Sequence, residues 1–266
     1  GEHGIGAGHR LEPASGRVHS ASAAARQSPA LWSLVSAHGG RAGVLNVPVT
    51  YPPEAIHGFL APGMFTPPGA PDAIFPPDLG AAFTARFGPL ADSPPKHADP
   101  GRYLDALLAG VGQRRDMVLW LLERGPWDLL FAVFMESDRV QHFFWRYRDP
   151  AHPRHRELGQ AIERVYEALD AALGLILDAA GPQTTVALVS DHGAGPLHTG
   201  IFLNQWLLDQ GWLHLQRDFA RTFSRPIATP DLARRLLAKA LSVVAPGRAA
   251  RLRAKARAAE QSRVNN

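Results

Sequence analysis

Two alternating periodicities constrain this chain most. Short apolar runs of strand length are separated by stretches whose apolar residues recur every three and four positions. The first run is AGVLNVPVTYPP (42–53), β-branched and closed by prolines. The second is WDLLFAVFM (127–135), and the third is Thr184–Ser190, TTVALVS. A strand buried on both faces reads as such a continuous apolar run. Between the runs, Leu104, Leu107, Leu108, Val111, Val118, Leu119 and Leu122 predict a helix over 102–123. Leu158, Ile162, Val165, Leu169, Leu173 and Ile176 predict another over 157–180. Helix–strand–helix–strand order implies an α/β chain with a mostly parallel central sheet between helices.

The remaining segments carry weaker signals. Residues 1–27, rich in Gly, Ala, Ser, His and Arg, read as loop. Ser28-Pro29 reads as an N-cap and first helical position, opening a helix that ends near Gly39-Gly40. Residues 52–100, dense in Pro and Gly, read as one long loop, and long loops of this kind are often functional. Residues 231–262 read as basic helix broken near Pro246-Gly247, with a solvated, alanine-rich face. The expected organisation is an α/β core over 1–215, followed by a basic helical segment over 216–266 belonging to an insertion or cap.

The second and third runs end alike. After FAVFM come Glu136, Ser137 and Asp138, with His142 four residues on. After VALVS come Asp191 and His192. Open parallel sheets bind ligands beyond the carboxyl ends of their strands, where both Asp/His pairs are expected. At i and i+4 on a helix, Asp138 and His142 share a face. Each pair alone reads equally as a cap and a structural histidine. Together they point to a site for a divalent metal with oxygen and nitrogen ligands. The chain has no cysteine, so thiolate sites and disulfides are excluded. The donors suit zinc, with manganese or magnesium as alternatives.

GVLNVPVTYPP (43–53), SDRVQHFFWRY (137–147) and VSDHG (189–193), in this order along the chain, resemble the alkaline phosphatase superfamily. The closest resemblance is to its type I phosphodiesterase/nucleotide pyrophosphatase branch, and HGI (3–5) resembles the stretch that follows the nucleophile there. The resemblance implies a three-layer αβα fold, incomplete here at both ends, and a two-metal site. Asp138 and His142 match ligands of one metal, and Asp191 and His192 match ligands of the other. It implies a Ser or Thr nucleophile and a further Asp, both expected upstream of Gly1, and a late His that has no match after Leu215. His198 is a candidate for that missing ligand, or a loop residue contacting solvent or substrate. Ser20, Ser22, Thr50 and Ser190 are candidates for a replacement nucleophile, but none sits in the expected context and each reads rather as a cap or turn residue. Asn46 and Tyr51, at the end of the first run, are candidate substrate contacts, or shape the turn. Phe143, Phe144, Trp145 and Tyr147 read as core.

The implied activity is metal-dependent hydrolysis of phosphoric esters, with phosphodiester or nucleotide pyrophosphate bonds as the substrate class. A catalytically incomplete metal- or ligand-binding relative is one alternative. A phosphomonoesterase, sulfatase-like or phosphotransfer enzyme of the same superfamily is another. The expected partner is a small phosphate ester or nucleotide; nucleic acid is not expected despite the net charge of +4. No run has the length of a membrane helix, and GEHGIGAGHR has no signal-peptide order, so a cytoplasmic location is expected.

Overall fold

A computed structural model of the chain describes residues 4–5, 8–12, 15, 17–70, 72–90 and 99–213. The expected basic segment over 216–266 and the histidine of HGI, His3, lie outside the described residues. The chain divides into two compact units, Gly1–Leu197 and His198–Asn266.

In chain order the first unit holds β1 (His9–Glu12), β2 (Arg17–Ser20), α1 (Leu31–Ala37), β3 (Ala42–Val47), β4 (Gly58–Pro62), α2 (Pro77–Phe87), α3 (Pro100–Leu122), β5 (Leu129–Ala132), α4 (Glu136–Phe144), α5 (His155–Leu158) and α6 (Ala161–Ala180). The second unit holds α7 (Leu203–Asp209). β4, β3 and β5 form a parallel sheet in that order, with β3 central. β1 and β2 pair antiparallel as a separate ribbon.

Side chains alternate across a strand, and β3 uses both faces. On one face Ala42 and Val44 pack with Leu60 of β4 and Trp32 of α1. On the other, Leu45 packs with Phe59 and Ala61 of β4, Phe83 of α2, and Met117, Val118, Trp120 and Leu121 of α3. The result is the αβα layering expected from the sequence. A third cluster lies away from the sheet, where α3, α4 and α6 meet through Leu104, Leu107, Val140, Phe144, Ile162 and Val165. α3 begins where Pro100 occupies its first turn and Asp99 caps it, accepting a hydrogen bond from the Gly101 N–H at 3.2 Å. That bond first, and then Arg154, holds the Asp99 carboxyl below its ordinary pKa.

Several expectations change. Residues 1–27 contain the β1–β2 ribbon rather than loop alone. The region 52–100 contains β4 and α2. The first helix starts at Leu31, with Ala30 at its cap, so Ser28 does not cap it. The 157–180 helix is two, since α5 ends at Leu158 and α6 begins at Ala161. The largest departure is Thr184–Ser190, which joins no sheet: Leu188 and Val189 are 84% and 82% exposed. An apolar run fixes compatibility with a strand, whereas a strand also needs an edge to pair with, and none of the described strands pairs with this one.

The stretch between β3 and β4 is tied to α1 by Glu54. Its carboxylate accepts from Arg26 Nη2 at 2.6 Å, Trp32 Nε1 at 2.7 Å and Ser33 Oγ at 2.9 Å. Burial pushes this carboxyl up, but the hydrogen bonds from Trp32, Arg26 and Ser33 outweigh it and leave the pKa below 4.5. A lowered folded value means that the stability Glu54 contributes is complete above its unfolded value and lost as pH falls through the folded one. Glu54→Gln is therefore expected to cost about 1 kcal/mol at neutral pH, moderated by partial exposure, and to flatten the loss of stability below about pH 5. Urea unfolding at a series of pH values measures both. Leu45→Ala, at a fully buried central position, is expected to cost roughly 3 kcal/mol in the same assay.

Candidate functional site

The carboxyl ends of β4, β3 and β5 emerge on one edge of the sheet, because the three strands are parallel. β5 ends at Ala132, and α4 starts four residues later at Glu136. Glu136 is 1% exposed, and it lies so close to α3 that a Cβ added at Gly110 would meet its Oε1 at 3.0 Å. Gly110 thus makes room for a carboxylate at the start of α4. The sequence reading did not assign Glu136 a place. The available signal was an acidic residue directly after an apolar run, facing a glycine within an otherwise apolar helix.

Asp138 stands in the first turn of α4 and His142 in its last. Asp138 Oδ1 lies 3.1 Å from His142 Nε2, at i and i+4 as the sequence spacing predicts. Asp138 is mostly buried, with 29% of its side chain exposed, while His142 presents 68%. The neighbouring Arg139 reaches the exit of β4, where its Nη2 donates to Met64 Sδ at 3.4 Å.

Asp191 and His192 lie on the irregular, exposed segment after α6, not at a strand end. His192 Nε2 is 3.7 Å from Asp191 Oδ2, and His192 Nδ1 is 2.8 Å from the Gly193 carbonyl. Ser190 Oγ donates to the His192 carbonyl at 2.6 Å. The Gly193 carbonyl, then the Asp191 charge, and more weakly the Asp138 charge raise the His192 pKa above 6.5. The contribution of Asp138 brings the two Asp/His pairs within electrostatic reach of each other.

The other candidates separate. Asn46 is 2% exposed, with its Nδ2 donating to the Val133 carbonyl at 2.9 Å. Tyr51 is half-buried, and its carbonyl accepts from the Ala23 N–H at 2.8 Å. His198 is exposed and is the first residue of the second unit. Thr50 is buried and its hydroxyl donates to the Val47 carbonyl at 2.7 Å, a turn role. Phe144 and Tyr147 are core, as read from the sequence, with Phe143 and Trp145 partly buried against them. Tyr103, Phe143, Trp145 and Arg146 line a cavity of about 430 Å³ that opens beside His142.

Each Asp/His pair offers one carboxylate oxygen and one imidazole nitrogen, a donor set that fits zinc by chemistry. Each pair alone supplies two of the four ligands zinc takes, and among the described residues no three such side chains converge into one cluster.

A family model described as type I phosphodiesterase / nucleotide pyrophosphatase matches residues 1–263. The match runs past residue 215, where the motif resemblance stops, and no curated protein or solved structure matches the chain. Among the described residues no helix is long and apolar enough to cross a membrane.

The His192 environment gives a direct test. In an NMR titration of its ring protons, the midpoint is expected above 6.5 and is expected to fall in Asp191→Asn and, by less, in Asp138→Asn. A midpoint insensitive to Asp138 would mean that the two pairs are not in reach of each other.

Proposed function

Because the chain belongs to the type I phosphodiesterase / nucleotide pyrophosphatase family, a family of hydrolases, we propose that it acts on phosphodiester or nucleotide pyrophosphate bonds with the help of two divalent metal ions, zinc by the nature of the donors. The observation that carries the reading is the Asp138–His142 pair at 3.1 Å on α4, the helix that follows β5, with the Asp138 charge also raising the His192 pKa. Asp138 and His142 would hold one ion, and Asp191 and His192 the other. When bound, such ions stabilise negative charge growing on the phosphoryl oxygens.

The chain's own residues prepare this site. Asp138, mostly buried, orients the exposed His142 ring. His192 Nδ1 faces the Gly193 carbonyl, which leaves Nε2 as the nitrogen turned towards Asp191. Arg139 brings a guanidinium to the same rim, where it favours an anionic substrate. Tyr51, half-buried beyond the exit of β3, is a candidate substrate contact. The family resemblance calls for a Ser or Thr nucleophile; no residue of this chain is assigned that part. The substrate is a small phosphate ester or nucleotide.

The rival reading is a relative that binds metal or ligand without turnover, favoured by the lack of any three-donor cluster among the described residues. Hydrolysis of bis(p-nitrophenyl) phosphate and of p-nitrophenyl phosphate, with and without added zinc, separates the readings. Under the hydrolase reading, turnover depends on zinc, favours the diester and falls by about 100-fold or more in His142→Ala and His192→Ala. Preference for the monoester would point to another chemistry of the superfamily. Nucleotide binding with no turnover of either ester would favour the binding relative.

A further inference from the structure

Asn46 is the residue at which the exits of all three strands meet. It sits on the central strand at a backbone φ of 61°, in the left-handed region that Asn tolerates better than most residues. The β3–β4 register shifts between Leu45 and Val47, so Asn46 is the bulged residue. On one side the Gly63 backbone approaches so closely that a Cβ there would meet the Asn46 carbonyl oxygen at 2.3 Å. On the other side the Val133 N–H donates to the Leu45 carbonyl at 3.1 Å, the last ladder-like bond between β3 and the end of β5. In a regular parallel ladder the Val133 carbonyl would then be met by the N–H of Val47. At the bulge it is met by the Asn46 side-chain amide, at 2.9 Å.

We infer that Asn46 is a positioning residue for the Asp138–His142 pair, acting through the Val133 carbonyl. Val133 is therefore held by both its N–H and its carbonyl. Only Phe134 and Met135 separate it from Glu136, the first residue of α4, whose buried carboxylate is seated against Gly110. The two anchors fix the start of α4, and Asp138 and His142 follow within two turns. With its amide nitrogen bonded to Val133 and 2% of the residue exposed, Asn46 reaches substrate only through what it positions. Few other side chains serve here: the residue must accept a left-handed backbone and carry a donor of this reach. Aspartate has the shape without the donor, and glycine has the backbone without the side chain.

The inference rests on Asp138 and His142 being metal ligands, and the test keeps the two ideas apart. Amide hydrogen exchange is measured in wild type, Asn46→Asp and Asn46→Gly, with segments 58–62 and 117–121 as internal references. Exchange over 134–142 is expected to rise on the order of tenfold in both variants, with the references unchanged. Wild-type exchange in Asn46→Gly would overturn the inference, since the backbone conformation rather than the amide would matter. Faster exchange in the references too would also overturn it, as the mark of a general stabiliser. Cobalt(II) titration, followed by its visible absorption, adds a readout that stability does not move. Affinity is expected to fall about 10- to 100-fold in both variants, and equal affinity would overturn the inference. Failure of the wild type itself to take cobalt would instead sink the metal-site reading, and the exchange result would still decide whether Asn46 sets the start of α4.

Discussion

The burial of β3 on both faces is the constraint from which the rest of the first unit follows. Val44 and Leu45 are each fully buried and point to opposite sides of the sheet, so each face has to be covered. α1 covers one side through Trp32, and α2 and α3 cover the other through Phe83, Met117 and Leu121. A parallel neighbour cannot be reached by a tight turn, so β4 and β5 arrive by longer connections, and that of β5 brings α2 and α3 with it. The same parallelism places every carboxyl end on one edge. Backbone groups there have left the ladder and must find other partners.

Asp138 and His142 lie beyond that edge, and the way each Asp/His pair is held decides what it offers. Asp138 and His142 ride a helix whose first residue is buried against Gly110 and whose approach is bound to Asn46. Their spacing is therefore set by helix geometry and their location by the sheet. Asp191 and His192 have no such support, lying on an irregular segment with Asp191 90% exposed at its side chain. The two pairs share a field rather than a scaffold. Completing a four-ligand site around either one calls for donors from outside the pair.

The parts legible in the sequence were those written in local periodicity. α3 and α6 show their apolar stripes over twenty or more residues, and the Asp138–His142 pair needed only the i,i+4 rule. β4 and α2 were not legible: GFLAP is five residues long and closes on a proline, and α2 opens on Pro77 within a stretch dense in Pro and Gly. Short elements of that kind are decided by what they pack against, here Phe59 and Phe83 against Trp120. Thr184–Ser190 fails in the opposite direction. Its composition is that of a strand, yet pairing is a contact between distant segments, which composition does not encode.

The sequence by itself determined the α/β class, the first buried strand, the long helices, the exclusion of thiolate chemistry and the two Asp/His pairs. All of these follow from residue type and near-neighbour spacing, because side-chain period and donor chemistry are local properties. Only the tertiary structure decided that Asn46 turns inward to the Val133 carbonyl, that Glu136 is buried against Gly110, and that the charge of Asp138 reaches His192. Those facts join residues 26 to 87 positions apart, and the free energy that selects them comes from burial and hydrogen bonding summed over the whole unit.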